Sequence, residues 1–176
     1  MKHTKVNDLK KQINILKNTV VKVGYFENSK RTDHYDRFKK DSNGKRTKQI
    51  ETVEKPSLPN AYIASIHEFG SPTNNIPPRP TLGPALQNNK DEISRILVNG
   101  IKNNNLENAF VQIGEFAKGK VKDEISTLKS PALKESTVRA RLRGKKQGKS
   151  VSLTVAKPLV NTKQMLQAVD YEVGQK

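Results

Sequence analysis

Apolar residues recur at helical spacing through the middle of the chain and at strand spacing near both ends. Val6, Leu9, Ile13 and Leu16 step by three and four, which predicts one apolar stripe on a helix of about three turns ending at Asn18. Thr19-Val20-Val21-Lys22-Val23-Gly24-Tyr25-Phe26 is β-branched and aromatic, the composition of a strand. Asn60 stands where it can cap a helix over 61–69 that Gly70 closes. After a Pro-rich stretch, Leu86, Ile93, Leu97 and Ile101 share one face of a longer helix starting near Pro84, which Asn103-Asn104-Asn105 breaks. Phe110, Ile113, Ala117, Val121, Ile125 and Leu128 give the clearest amphipathic helix. The two long helices form either a helical hairpin or one kinked rod.

Beyond them, Ser130-Pro131 reads as a helix restart, with Ser as N-cap and Pro at the first helical position, leading into a basic helix to about Leu142. Alternation of Val151, Leu153 and Val155 predicts a short strand. Asn161 and Gln164 have capping-box spacing ahead of a short helix, and 168–173 reads as a closing strand. Strands at both ends with helices between them predict an α+β fold, a small antiparallel sheet packed against helices, in a single domain over 1–176. The expected core is Val21, Val23, Ile66, Phe69, Leu86, Ile93, Leu97, Phe110, Ile113, Val121, Leu166 and Val173.

Residues 27–55 follow a different pattern. Nine Lys or Arg stand against six acids, and Tyr35, Phe38, Ile50 and Val53 keep no sustained period. Asn43-Gly44 near the middle suits a type I′ turn, because both residues tolerate positive φ. The stretch is an inserted basic loop or long hairpin, or a segment that is disordered when unbound.

Composition points to an anionic partner. Thirty-three Lys and Arg against seventeen Asp and Glu give a net charge of +16, and the sequence pI is near 10.0. Nucleic acid is the usual counterpart of such an excess, with a solvated surface or an acidic neighbouring subunit as the plainer reading. Apolar residues at 33% and a mean hydropathy of -0.77 imply that part of the length is exposed loop or arm. There is no cysteine, which excludes disulfides and thiolate metal sites and is compatible with a reducing cytoplasm. No signal peptide or membrane span is expected, since no apolar run is long enough.

The residues that carry chemistry elsewhere form no catalytic or cofactor pattern. His67-Glu68 lacks the second His four residues on that a zinc helix needs, position 71 being Ser. His67 is therefore expected to bond a neighbouring carbonyl or the Pro-rich turn. Gly144 to Ser150 (Gly-Lys-Lys-Gln-Gly-Lys-Ser) spaces its glycines by three rather than four and precedes a strand-like run, so it is no nucleotide loop. Lys145, Lys146 and Lys149 there remain suited to phosphate contact, as do Lys39, Lys40, Lys45 and Arg46 around the Asn43-Gly44 turn. With aromatics at 5% and no Trp, stacking on single strands is poorly supplied. No enzyme and no cofactor is expected.

The most distinctive wording is Ile66-His67-Glu68-Phe69-Gly70 followed by Ile76-Pro77-Pro78-Arg79-Pro80 and Leu82. With Val21-Lys22-Val23-Gly24-Tyr25-Phe26 before it, and Leu133-Lys134-Glu135-Ser136-Thr137 and Lys157-Pro158-Leu159-Val160-Asn161-Thr162 after it, the chain resembles the tail-completion and head–tail joining (neck) proteins of long-tailed bacteriophages. Lys163, where that family often has Gly, and the 27–55 insertion depart from the pattern.

The resemblance implies a non-enzymatic virion protein, made in the host cytoplasm, that completes or terminates the tail and joins it to the head. It implies a homo-oligomeric ring, a hexamer, in contact with neck or connector and tail-tube proteins, through which double-stranded DNA passes. Within it, His67, Glu68, Phe69 and Gly70 are structural. The stiff turn Ile76, Pro77, Pro78, Arg79, Pro80 is the subunit-contact candidate, with Arg79 either reaching a neighbour or bonding its own helix end. The basic segments would line the lumen. The alternative is a basic, non-specific nucleic-acid-binding protein unrelated to virions.

Overall fold

A computed structural model describes residues 2–26, 33–55, 58–143, 159 and 164–176. It is an α+β fold in the order α1 (Lys2–Asn18), β1 (Thr19–Tyr25), β2 (Asp33–Lys40), β3 (Arg46–Lys55), α2 (Asn60–Phe69), α3 (Leu82–Gln87), α4 (Lys90–Lys102), α5 (Leu106–Thr127), α6 (Glu135–Arg143), α7 (Gln164–Ala168) and β4 (Val169–Gln175).

Helix α5 organises the body because its apolar positions form a stripe over its full length. Leu106, Ala109, Phe110, Ile113, Ala117, Val121 and Ile125 are all buried. Asn105 caps it by accepting a bond from the Asn108 amide. Its first half, through Leu106, Phe110 and Ile113, packs with Ile15 and Leu16 of α1, Val21 of β1 and Ile93, Ile96, Leu97 and Ile101 of α4. Its second half, through Val121 and Ile125, packs with Ala85 of α3, Val169, and the partly buried Val23, Tyr25, Leu82, Leu159 and Leu166.

Strands β1 and β4 pair antiparallel, Thr19 opposite Gln175 and Tyr25 opposite Val169. This two-stranded sheet lies on α5 because Gly114 lets the Tyr171 ring come down onto the helix. A Cβ at Gly114 would stand 2.1 Å from that ring. Gly100 does the same between α4 and α5, where a Cβ would meet the Ala109 Cβ at 2.3 Å. The two long helices are therefore a hairpin, turned through Asn104 at φ 52°.

Strands β2 and β3 form a separate antiparallel hairpin, from Asp33 opposite Lys55 to Lys40 opposite Arg46, with a register shift between Phe38 and Lys40. Among the described residues no other element packs substantially on it. Asn43-Gly44 does not make the expected two-residue turn. Residues 41–45 form a longer one in which only Gly44 takes positive φ, at 77°.

Other expectations are corrected in the same way. The α1 stripe is split: Leu16 turns inward beside Ile15, while Val6, Leu9 and Ile13 are 49%, 57% and 49% exposed. Phe69 is 80% exposed, and Leu86 and Val173 also lie open to solvent. The helix expected from Pro84 onward breaks at Asn88-Asn89, where the Asn89 side chain donates to the Ala85 carbonyl. Asn60 is the first residue of α2 rather than its cap. Ser130-Pro131 is a cis peptide outside any helix, and α6 starts at Glu135. The strand expected at 151–155 and the capping pair at Asn161 lie outside the described residues.

Ile125→Ala should destabilise the fold by about 2–5 kcal/mol, because a fully buried side chain leaves a cavity. Phe69→Ala should stay within about 0.5 kcal/mol of the parent, as a surface change does. Urea unfolding of both variants checks the reversal of the expected ranking.

Candidate subunit and nucleic-acid interfaces

The central motif is built mainly from bonds between charged side chains and distant backbone. Gly70 takes φ 77° at the end of α2, and a Cβ there would come within 2.9 Å of the Ile76 carbonyl and the Pro78 nitrogen. The chain turns tightly on itself, Ser71 bridging to Ile76 with bonds of 2.9 and 3.0 Å in the two directions. The Arg79 amide then donates to the His67 carbonyl at 2.6 Å.

Glu68 reaches across to the start of α3. Its carboxylate accepts from the amides of Thr81 at 2.7 Å, Leu82 at 3.1 Å and Gly83 at 3.0 Å. These amides have no partner within the helix, and the helix dipole adds to the attraction for a negative charge.

Arg79 faces inward. Only 6% exposed, it donates through Nε to the Pro131 carbonyl at 3.0 Å and through Nη2 to the Ala132 carbonyl at 3.1 Å. The outward-facing role considered for Arg79 is corrected: its planar fork joins the turn to the segment between α5 and α6 of its own chain.

Beneath this clamp lie two buried polar atoms without a hydrogen-bond partner, the Tyr25 hydroxyl and His67 Nδ1. Burial, and then the neighbouring Glu68 charge, push the Tyr25 hydroxyl up. Burial, and then Arg79, hold the His67 imidazole below its ordinary range. A neutral imidazole in this setting supports the fold and donates no charge to a ligand. Among the described residues no group of three His, Asp or Glu side chains is placed to hold a metal ion, and no helix is long and apolar enough to cross a membrane.

Outside the clamp the motif is exposed. Pro77, Pro78 and Pro80 face solvent, with Ile76 half-buried. Beside them on α2, Tyr62, Ile66 and Phe69 fall at i, i+4 and i+7, with Leu58 just before the helix. Leu58, Tyr62 and Phe69 are all more than half exposed. The apolar row on α2 thus runs to Phe69, next to Gly70, after which the turn that carries the exposed prolines begins. The helical spacing of that row was visible in the sequence, but its direction was not, because α2 carries a second, inward face through Ala64.

The hairpin tip gathers the other candidates. Lys39, Lys40, Lys45 and Arg46 are exposed within a few residues of one another. Asp41, the acid among them, is occupied by the turn, its Oδ1 accepting from the amides of Asn43 at 3.0 Å and Lys45 at 2.8 Å. The tip is therefore a cationic end on a narrow two-stranded arm. Lys145, Lys146 and Lys149 lie outside the described residues. Comparison with known protein families, curated proteins and solved structures finds no match for this chain.

Two outcomes follow from the clamp. Arg79→Ala should cost roughly 1–3 kcal/mol, because two part-buried carbonyls are left without their donors. Urea unfolding with unchanged far-UV circular dichroism checks it. His67 gives a pH dependence: its folded pKa is lowered, so the unfolded chain takes up the proton first. Its contribution is intact above the unfolded value of about 6.5 and is lost as pH falls from there through the lowered folded value. His67→Gln should flatten the decline in stability between about pH 7 and 5, measured as urea midpoints across that range.

Proposed function

We propose that this chain is a non-enzymatic subunit of a phage neck, assembling into a ring at the head–tail junction through which double-stranded DNA passes. The observation that carries this reading is the pairing of two unlike surfaces on one small domain. One is rigid and apolar, the Phe69 face with the proline turn, and suits a subunit contact. The other is a cationic hairpin tip that suits phosphate.

The apolar face favours assembly over a role as a lone DNA-binding module. Large aromatic side chains exposed beside a stiff turn lose little conformational entropy on docking, and such patches mark interaction sites. The hairpin supports the same reading from its own energetics. A two-stranded hairpin on which no other described element packs substantially is marginal in water, so its length is best explained by a partner that it meets on assembly. Lys heads and one Arg on such an arm attract any duplex without reading bases, which a conduit for every sequence of a genome requires. A ring multiplies the cationic tip by the number of subunits, six on the resemblance. Neck or connector and tail-tube proteins are the neighbours this reading assigns.

Negative-stain electron microscopy of the purified protein should show rings in the absence of nucleic acid. Phe69→Ser should abolish them while leaving circular dichroism and the urea midpoint unchanged. A protein that stays monomeric at every concentration, yet binds duplex, would move the assignment to the basic nucleic-acid-binding alternative.

Binding to unrelated duplexes should be indifferent to sequence and fall steeply with salt. Replacing Lys39, Lys40, Lys45 and Arg46 by Ala should lower the slope of log K against log salt by up to about 0.9 for each phosphate no longer neutralised. An unchanged slope would remove the hairpin from the DNA path.

A further inference from the structure

We propose that the outer face of α1 is a docking site for an acidic amphipathic helix of another protein. The surface is distinct from the Phe69 face and from the hairpin, and the inference stands apart from the neck reading.

Val6, Leu9, Ile13 and Leu16 are spaced three, four and three, the seam of a two-heptad coiled coil with β-branched residues at a (Val6, Ile13) and Leu at d. Such a seam is stable only when covered. Leu16 is covered by the α5 cluster, whereas Val6, Leu9 and Ile13 each leave about half their surface open. The body holds α1 along the g flank of this seam, where Gln12 donates to the Ile101 carbonyl at 3.2 Å and to Asn104 Oδ1 at 2.7 Å, and the e flank is left open. The seam is therefore held in place and presented by the body, and a partner helix meets a preformed surface.

Charge selects the partner. In this register Lys10 and Lys17 occupy e positions, while the acid of the helix, Asp8, falls at c, away from the seam. Lys10 and Lys17 are exposed. A second copy offers these lysines no acid: antiparallel pairing sets them against one another, and parallel pairing sets Lys17 against Gln12 of the other helix. A helix with Leu or Ile at a and d and Glu at its flanking positions buries the same seam and pairs with these lysines instead of repelling them.

The experiment uses the full chain and two fluorescent synthetic helices about three heptads long, identical at a and d, one with Glu and one with Lys at e and g. Fluorescence anisotropy should show the Glu-flanked helix binding and the Lys-flanked helix not binding. Leu9→Ser combined with Ile13→Ser should weaken binding roughly tenfold or more. Both positions are exposed, so the fold, checked by circular dichroism and thermal melting, should be unaffected. Lys10→Glu with Lys17→Glu should shift preference toward the Lys-flanked helix.

Equal binding of the Glu-flanked helix to parent and Leu9/Ile13 variant would reduce the effect to general attraction by a cationic protein and overturn the proposal. Failure of that helix to bind would also overturn it. So would sedimentation showing that the chain self-associates through this face, with association abolished in the Leu9/Ile13 variant, since a second copy would then be the occupant.

Discussion

The body of this protein depends on how closely other elements can approach helix α5. That helix is apolar along one whole stripe, and two glycines set the distances. Gly114 admits the Tyr171 ring and so seats the β1–β4 pair on the helix. Gly100 lets α4 come down onto Ala109. The two halves of the stripe then collect different neighbours, α1 and α4 at one end and α3 with the closing strand at the other. A methyl group at position 114 would lift the sheet away, and with it Val169, among the most deeply buried side chains.

Much of this was legible in the chain. Phe110, Ile113, Val121 and Ile125 keep a strict helical step, and a long amphipathic helix admits one burial solution. The terminal strands were legible from their β-branched residues, and a small antiparallel sheet was the expected way to pair them. Direction was harder to read. Helices α1 and α2 are each apolar on more than one side, so spacing identifies the stripe without saying which side meets the body. Phe69 was misplaced for that reason. Hydrophobicity argues that such residues be covered, but it is silent on whether the cover belongs to the same chain.

The candidate site was legible in part. The proline turn and the basic stretch around Asn43-Gly44 were both visible, the latter as a loop, a hairpin or a disordered segment, and Pro77, Pro78, Lys39 and Lys45 are exposed. The direction of Arg79 was not visible, because its acceptors lie 52 and 53 residues away and are backbone carbonyls, which carry no side-chain signature. Glu68 is similar: its target amides lie thirteen to fifteen residues on, well beyond the three-residue reach of a capping box.

That choice of partners has a consequence for how the fold tolerates change. Glu68 and Arg79 hold the α2–α3 turn and the 131–132 segment entirely through amides and carbonyls, which every residue supplies in nearly the same form. The exposed Gly83 or Ala132 can be exchanged for almost any other residue without disturbing these bonds, and only a proline at 81, 82 or 83 would delete a donor. The two ends of each bond are therefore free to vary independently. Paired substitutions, the usual trace by which distant neighbours are recognised in related sequences, would be silent about the bonds that hold the central motif together.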